Sequence, residues 1–393
     1  MLTVRIVLIL SLLENLHSRS IDFVLAFPQA KIEVDVYMRM PFGYAPPKNR
    51  PEGLYVLKLK KNLYGLKDAS ATFWKKLRDT LLETRYGFVQ SQIDPCLFIR
   101  KDCILVTYVD DCLCFSRDKL VLDSVVNLLS NDFVMTDEGE VAKYLGVDVK
   151  RSSDGSSIEL RQPYLIERIL DVLKVNKANN ANHKSTPSVK PLLHRDENGS
   201  ERKESWNYRS VQGMINYLAG STRPDIAFST HQCARFCNNP KLLHETAMKR
   251  IGRYLLGTLD KGIILKPDRT KNVECFVDAN FAGNWNKEEA ESSTNMLSRT
   301  GYVIRFMGCP IIWVSKLQTE IALSTTEAEY IALSQAMRDV IPLMTIIEEL
   351  SEVLQIKKEK PKIYCRVFED NNGALELAKT PRLRPRTKHI SLK

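Results

Sequence analysis

Asp110 and Asp111 are adjacent acidic residues that lie between two apolar runs, 103–107 and 112–115. Two β-prone runs that meet at an Asp-Asp pair predict a β-hairpin with both carboxylates at its tip. Two like charges so close together are unfavourable unless a cation lies between them. The pair could hold Mg²⁺ for phosphoryl transfer if a neighbouring strand supplied one further carboxylate. The alternative is an ordinary exposed turn, in which Asp is common.

Asp22 is the candidate for that further carboxylate. It is the single acidic residue of the β-prone run 20–27, which ends at Pro28. A lone Asp is costly to bury in an apolar strand, so we expect it at an exposed strand end or facing a metal ion. Phe27 follows where the strand should turn into a loop. A ring beneath the sugar of an incoming nucleotide would exclude a 2′-hydroxyl and select deoxynucleotides, whereas the alternative is an ordinary core Phe.

A series of different short motifs lies along almost the whole chain. They occupy residues 22–27, 36–44, 63–67, 94–98, 108–111, 144–146, 222–227, 326–333 and 386–390. Through these motifs the chain resembles the copia-type long-terminal-repeat retrotransposon Pol polyproteins over their reverse transcriptase and RNase H regions. Each motif alone is weak, whereas their order and spacing together are specific.

The resemblance implies an α+β fold with a polymerase palm and partial fingers, a helical thumb or connection, and an RNase H-like α/β domain. We expect the palm with partial fingers in residues 1–175, and the linker with the thumb or connection in 176–267. The RNase H-like domain is expected in 268–393, truncated at its C-terminus. Residues 175–203 are rich in Asn, Lys, Ser and Pro, which is typical of a linker or loop.

Hydrophobic patterning gives the predicted elements. The apolar run 6–13 is too short to cross a bilayer and lacks a cleavage pattern, so we expect a buried helix there. A hairpin turn is predicted at 153–156. Further helices are predicted at 62–86, 119–131, 208–238, 244–257 and 324–349, and strands at 143–149, 157–160, 273–278, 301–306, 311–315 and 363–368.

A second group of carboxylates is implied for RNase H chemistry. Asp278 and Asp370 lie at predicted strand ends, and a Glu from the helix 324–349 would join them. Two Ser/Thr-x-x-Glu spacings at this helix start fit a capping box, so one Glu could serve only to close the helix end. The family pattern assigns the metal to Glu329 and leaves Glu327 as the capping residue.

Several residues depart from the family pattern. Asp68 stands where relatives usually have Gln, and an anion there would repel a triphosphate if it faced the site. Ser391 stands where the family often has a fourth carboxylate, although His389 could still contact a phosphate. The fingers strands that precede Asp22 in the family are not in this sequence. These departures leave an alternative, a catalytically impaired truncated or relic fragment that at most binds nucleic acid.

Charge and composition restrict the partners. Lys and Arg total 57 against 47 Asp and Glu, a net charge of +10 that suits a phosphate backbone. Lys249, Arg250 and Arg253 form a basic helix face that could follow nucleic acid, with a solvated face as the alternative. Nine scattered Cys lack zinc-type spacing, which predicts free thiols in a reducing compartment. We therefore expect an intracellular protein of the cytoplasm or nucleus, with no membrane partner.

The resemblance also implies the chemistry. The expected partners are an RNA template, a DNA primer, an RNA–DNA hybrid and dNTPs, while the oligomeric state stays open. Phe27 would act as the sugar gate and Tyr108 would pack beneath the primer end. The residues expected to hold Mg²⁺, two ions per active site, are Asp22, Asp110 and Asp111 in the polymerase and Asp278, Glu329 and Asp370 in the RNase H.

Overall fold

The computed structural model describes residues 1–44, 55–175, 182–188, 192–285, 287, 293–355 and 363–379. Helices and strands are mixed along this whole length, as the α+β prediction requires. The helices are α1 (Leu2–Leu13), α2 (Ala26–Gln29), α3 (Ala69–Leu81), α4 (Lys119–Asp132), α5 (Pro163–Leu173), α6 (Tyr208–Ser221), α7 (Ala227–Ala234), α8 (Leu242–Leu256), α9 (Thr325–Val353) and α10 (Asn372–Lys379).

In the described residues, the strands form four sheets. They are β1 (His17–Phe23), β2 (Tyr37–Arg39), β3 (Val56–Lys58), β4 (Val89–Gln90), β5 (Leu97–Arg100), β6 (Cys103–Tyr108), β7 (Asp111–Ser116), β8 (Met135–Gly139), β9 (Lys143–Tyr144), β10 (Val147–Arg151), β11 (Ile158–Arg161), β12 (Ile263–Leu265), β13 (Val273–Asn280), β14 (Arg299–Phe306), β15 (Cys309–Leu317) and β16 (Cys365–Phe368). Their orders are β4-β5-β6-β7-β1-β8, β12-β11-β10-β9, β15-β14-β13-β16 and β2-β3.

The chain divides into two compact units. The first unit contains residues 14–141 and 349–356, and the second contains 1–13, 142–348 and 357–393. This division does not show which part of the chain has which role. The three ranges predicted for the palm, the thumb or connection and the RNase H-like domain therefore stay predictions.

The first unit is built on the six-stranded sheet. Alternate residues of its central strands, such as Ile21 and Leu105, point to one face and are fully buried. Helices α3 and α4 cover that face with apolar residues that include Phe73 and Leu129. The ring of Phe23 on β1 contacts that of Phe73 edge-on at 5.5 Å. This packing holds β1 and the β6–β7 hairpin in a rigid core.

The structure corrects two predicted elements in the first unit. Strand β1 ends at Phe23 rather than at residue 27, because Leu25 adopts a left-handed backbone (φ 49°) and α2 begins after it. The predicted helix 62–86 begins only at Ala69, since Gly65 (φ +99°) lies in a turn that no helix can continue through. The prediction of a helix at 119–131 is confirmed by α4.

Helix α1 belongs to the second unit and is buried along most of its length, as predicted. Arg5 is buried and donates hydrogen bonds to the carbonyl oxygens of Ile311 and Gly220, both at 2.7 Å. Its guanidinium also stacks over the ring of Trp313. Within the described part of the chain, no helix is both long and apolar enough to span a bilayer.

Helices α5 to α8 share one apolar core in the second unit. The predicted helix 208–238 is interrupted, because α6 ends at Ser221 and Pro224 starts a 3₁₀ turn before α7. The predicted hairpin at 153–156 is confirmed, since β10 and β11 pair antiparallel around it and Gly155 has φ +70°. All nine Cys are free thiols, as the spacing predicted.

The remaining sheet of the second unit mixes strand directions. Strands β13, β14 and β15 pair antiparallel, whereas β16 lies parallel to β13. A parallel pair needs a long crossover connection, which here contains α9. Gln318 donates to the Ala328 carbonyl at 2.8 Å, and Tyr302 donates to Asp339 at 2.6 Å, which ties α9 to the sheet.

Candidate functional site

The β6–β7 turn presents two adjacent aspartates. Tyr108 and Asp111 are register partners, so Val109 and Asp110 form the two-residue connection. Val109 has φ 55°, an unfavourable backbone conformation for a β-branched residue. Such strain costs about 1–3 kcal/mol and is maintained by the surrounding structure. The sheet therefore holds a strained turn that fixes where both carboxylates lie.

Strand β1 brings Asp22 to this turn. Asp22 is the register partner of Asp111, and the Phe23 amide donates to the Asp110 carbonyl at 2.9 Å. Asp22, Asp110 and Asp111, which we name the first carboxylate set, are thus neighbours although Asp22 and Asp110 are 88 positions apart in the sequence. The structure brings together the three residues that were predicted to meet.

The first carboxylate set is electrostatically unfavourable by itself. Burial, then Asp22, Glu138 and Asp110, raise the pKa of Asp111. Burial and Asp22 also raise the pKa of Asp110, although the hydroxyl of Tyr64, 3.4 Å from Asp110 Oδ2, opposes this rise. Asp110 Oδ1 is buried without a donor. A buried acceptor among like charges is suited to bind a cation.

Glu138 and Tyr64 lie beside the first set, although neither was predicted as a site residue. Glu138 lies on β8, accepts a hydrogen bond from Ser20 at 2.9 Å and repels Asp111. Only the pairing of β8 with β1 places it there, so no local pattern could have found it. Tyr64 lies in one of the motifs that carry the family resemblance, and that motif was the available signal.

Phe27 and Tyr108 flank the first set. Phe27 is half-buried on α2, and its ring lies 4.5 Å from that of Tyr64 between centroids. Tyr108 ends β6 and leaves 55% of its surface exposed. Phe27 also packs against the apolar core of the first unit, so its role as a sugar gate stays a prediction, whereas Tyr108 is exposed for contact with a ligand.

A second carboxylate set, Asp278, Glu329 and Asp370, lies in the second unit. Phe276 and Phe368 are partners in the parallel β13–β16 pair. Asp278 and Asp370 each follow two residues later, which brings them to the same end of the sheet. Helix α9 adds Glu329 from its second turn.

The second set converges closely. One ligand atom from each of its three carboxylates lies within 4.8 Å of the others. Across the described ranges, this is the one group of three acidic, His or Cys residues that meets the distance, so the first set is the looser of the two. An all-carboxylate set of this kind suits hard cations such as Mg²⁺.

Burial and repulsion dominate the second set. Burial, then Glu369, Asp278 and Asp370, raise the pKa of Glu329 to about 7. Glu329 Oε2 is buried without a donor, although the Ala279 amide donates a hydrogen bond to this carboxylate. Glu369 was not predicted as a site residue, yet it is the largest charged influence on Glu329.

Glu327 has the capping position that the sequence predicted. Its carboxylate accepts from the Leu323 amide at 2.8 Å, and its own amide donates to Ser324 Oγ at 3.1 Å. These reciprocal bonds close the start of α9. Glu327 is thereby occupied at the helix end, whereas Glu329 faces the second set.

Comparisons with known proteins identify the family of this chain. A family model described as "Reverse transcriptase (RNA-dependent DNA polymerase)" matches residues 1–190. The "Retrovirus-related Pol polyprotein from transposon RE1" of Arabidopsis thaliana is 34% identical over 99% of this chain and 25% of its own length. The chain belongs to the copia-type retrotransposon Pol family. Its reverse transcriptase domain contains the first carboxylate set.

Two further relatives extend the similarity over the chain. The "Retrovirus-related Pol polyprotein from transposon TNT 1-94" of Nicotiana tabacum is 32% identical over 100% of this chain and 28% of its own length. The "Putative transposon Ty5-1 protein YCL074W" of Saccharomyces cerevisiae is 27% identical over 81% of this chain and 100% of its own length. The chain thus spans about a quarter of the length of the RE1 and TNT 1-94 polyproteins.

Part of the basic face of α8 in this Pol chain is already paired with other residues of the protein. Lys249 makes ion pairs with Glu204 at 2.9 Å and Glu245 at 3.3 Å. Arg250 donates to Thr186, whereas Arg253 is exposed. The role of this face in nucleic-acid binding stays a prediction.

Three other residues of interest complete the comparison with the sequence. Asp68 is exposed and immediately precedes α3 in the reverse transcriptase domain, without a side-chain hydrogen bond to the helix start. His389 and Ser391 lie outside the described residues. Their predicted effects on phosphate and metal binding stay predictions.

Proposed function

We propose that this Pol chain synthesises DNA on an RNA template at the first carboxylate set and cleaves the RNA of RNA–DNA hybrids at the second. The observation that carries the polymerase assignment is the β1–β7 register, which places Asp22 opposite Asp111 and beside Asp110. The convergence of the second set supports the RNase H assignment.

The sheets support a subdomain layout. The six-stranded sheet of the first unit would be the palm, with partial fingers around β2 and β3. Helices α6 to α8 would form the thumb or connection, and the sheet of β13 to β16 with α9 would be the RNase H-like domain. This layout rests on the strand orders and on the family to which the chain belongs.

The residues of the first set fit Mg²⁺ because they are carboxylates and because Asp110 has a buried oxygen without a donor. Asp22, Asp110 and Asp111 would hold two ions between the strands. When bound, two such ions make the attacking hydroxyl more acidic and stabilise charge on the departing phosphate. Phe27 would exclude a ribose 2′-hydroxyl, and Tyr108 would support the primer end.

The second set would also catalyse phosphoryl transfer with bound metal ions, here on the RNA strand of an RNA–DNA hybrid. Asp278 and Asp370, exposed at the end of two parallel strands, would hold the ions beside the scissile phosphate. Glu329 is buried, so it would fix the position of the ions rather than contact the nucleic acid. The close spacing of the three carboxylates excludes a bulky group from between them.

The substrates follow from this chemistry. An RNA template, a DNA primer, an RNA–DNA hybrid and dNTPs would be bound chiefly through phosphates, which the net charge of +10 favours. Base pairing would determine the sequence that is copied. The protein would recognise the shape and backbone of the duplex.

Primer extension on an RNA template tests the polymerase assignment. We expect Mg²⁺-dependent incorporation of dNTPs that Asp110→Asn abolishes. Asp171→Asn removes an exposed carboxylate of α5 and is the matched control. If the wild-type chain binds the primed template but extends no primer at any Mg²⁺ concentration, it is an inactive relic and the polymerase proposal fails.

Cleavage of a labelled RNA strand in a hybrid tests the RNase H assignment separately. We expect Asp278→Asn to abolish cleavage and to leave primer extension intact. Asp110→Asn should have the opposite pattern. Loss of both activities in either variant would show that the two sets are not independent centres.

A further inference from the structure

Glu369 is a fourth carboxylate beside the second set. It follows the last residue of β16 and immediately precedes Asp370. Only 9% of its surface is exposed, so the side chain is directed into the protein and not into solvent. Its charge is the strongest of those that act on Glu329, and Asp278 and Asp370 act on Glu369 in turn.

One oxygen of Glu369 has a structural partner and the other has none. Oε1 accepts a hydrogen bond from the Asn371 amide at 3.1 Å. Oε2 is buried and has no hydrogen-bond partner. An unpaired buried carboxylate oxygen is unfavourable unless a donor or cation satisfies it. Glu329 Oε2, in the second set, is buried without a partner as well.

Glu369 does not belong to the group whose ligand atoms lie within 4.8 Å of one another. Direct coordination of the same ion would therefore require the side chain to move. Mg²⁺ normally retains several water ligands, and these waters are strong hydrogen-bond donors. Glu369 Oε2, a buried acceptor on the residue directly before Asp370, has no other partner and can accept a hydrogen bond from such a water.

We propose that Glu369 is a fourth acidic group of this ion site, with Oε2 accepting a hydrogen bond from a water bound to the cation. This inference rests on the proposed function of the second set. Glu369 would increase the affinity for divalent cations through its charge and orient the hydrated ion. Outer groups of this kind typically contribute 10–100-fold to metal affinity.

The role is distinct from that of the fourth carboxylate which the family pattern places near Ser391. Glu369 supplies its charge from the end of β16, directly beside Asp370 in the sequence. On this proposal the three residues of the second set would be direct ligands, and Glu369 would be an outer acceptor beside them.

Mn²⁺ binding to the whole chain, followed by electron paramagnetic resonance of the free ion, tests the inference. Asp110→Asn and Asp111→Asn are included in every protein, so that only the second set binds. The titration is run at about pH 8.5, above the pKa of about 7 for Glu329, so that this ligand is ionised. We expect Glu369→Gln to weaken binding about 10–100-fold.

The matched control is Glu376→Gln, the same change at an exposed position of α10. It should leave Mn²⁺ affinity unchanged. The amide of Glu369→Gln can still accept the hydrogen bond from Asn371, so local structure should be preserved. If Glu369→Gln fails to fold, Glu369→Asp replaces it and should also bind Mn²⁺ more weakly, because its oxygen is displaced.

The outcomes separate this inference from the proposed function. If Glu369→Gln binds Mn²⁺ as tightly as the parent protein while Asp278→Asn abolishes binding, the role of Glu369 is refuted. The proposed metal site at the second set is then still supported. Absence of Mn²⁺ binding in the parent protein would remove the metal site itself and both proposals with it. Weakened binding in Glu369→Gln alone supports the inference.

Discussion

Phe27 and Tyr64 form a ring pair with centroids 4.5 Å apart and planes inclined by 37°. The Tyr64 hydroxyl reaches Asp110 Oδ2 at 3.4 Å. The proposed sugar gate is thus connected through one side chain to the first carboxylate set. A substitution at Phe27 should therefore alter the surroundings of Asp110, and a substitution at Tyr64 should alter the position of the Phe27 ring.

Phe27→Val should weaken the discrimination against ribonucleotides. The smaller side chain would leave space for a 2′-hydroxyl, and we expect rNTP incorporation relative to dNTP to rise about tenfold or more. The measurement is single-nucleotide primer extension with each substrate. Phe27→Tyr preserves the ring and should preserve the discrimination. Equal selectivity in the Val and Tyr variants would argue against a steric gate.

Tyr64→Phe should shift the pH dependence of primer extension. Donation from the Tyr64 hydroxyl lowers the pKa of Asp110, so its removal raises that pKa further. Asp110 is then protonated up to a higher pH, so the acidic limb of the plot of rate against pH should shift to higher pH. Tyr64→Leu, which also removes the ring, should in addition relax the sugar selectivity. An acidic limb that does not move in Tyr64→Phe would mean that the hydrogen bond is irrelevant to activity.

Asp111→Asn should stabilise the metal-free protein. The pKa of Asp111 in the fold is raised above its unfolded value, chiefly by burial and then by Asp22, so ionisation opposes folding. In EDTA at neutral pH the variant should melt at a higher temperature than wild type. Added Mg²⁺ should raise the melting temperature of wild type more than that of the variant. Asp171→Asn, with its exposed carboxylate, should behave as wild type.

Glu329 should give metal-free protein a specific pH dependence. Its pKa rises from 4.5 to about 7 on folding, so the folded state binds the proton more tightly. Stability should therefore fall as the pH rises from about 4.5 to about 7, and Glu329→Gln should remove this loss. Thermal melts in EDTA over that range provide the measurement.

Glu327→Gln is the contrasting variant on the same helix. The Gln amide oxygen can still accept from the Leu323 amide, so we expect little change in the free energy of unfolding, with Mn²⁺ affinity retained. If Glu327→Gln lost the metal and Glu329→Gln kept it, the two assignments would have to be exchanged.

The basic face of α8 should contribute unequally to nucleic-acid binding. Arg253 is exposed, whereas Lys249 is already paired with Glu204 and Glu245. Arg253→Ala should reduce the salt dependence of RNA–DNA hybrid binding by about one unit of slope. Lys249→Ala should change it little. Equal slopes for wild type and Arg253→Ala would show that α8 does not contact the backbone.

The sequence by itself determined the hairpin that presents Asp110 and Asp111, and it predicted Asp22 as the third residue of the first set. Apolar alternation on both sides of Asp110 and Asp111 predicted the β6–β7 hairpin, because strand periodicity is a local property of the chain. The capping role of Glu327 was likewise local, since it depends on residues three or four positions away. Motif order identified the family.

Tertiary structure alone decided which side chains meet. The register of β1 against β7 and β8 places Asp22 and Glu138 beside Asp111, and the parallel β13–β16 pair brings Asp278 to Asp370. Local pattern sets which residues are strand or helix, but register depends on the packing of whole faces. The burial of a side chain such as Glu369 depends on elements distant in sequence, so neither its position nor its unpaired oxygen could be predicted from the chain alone.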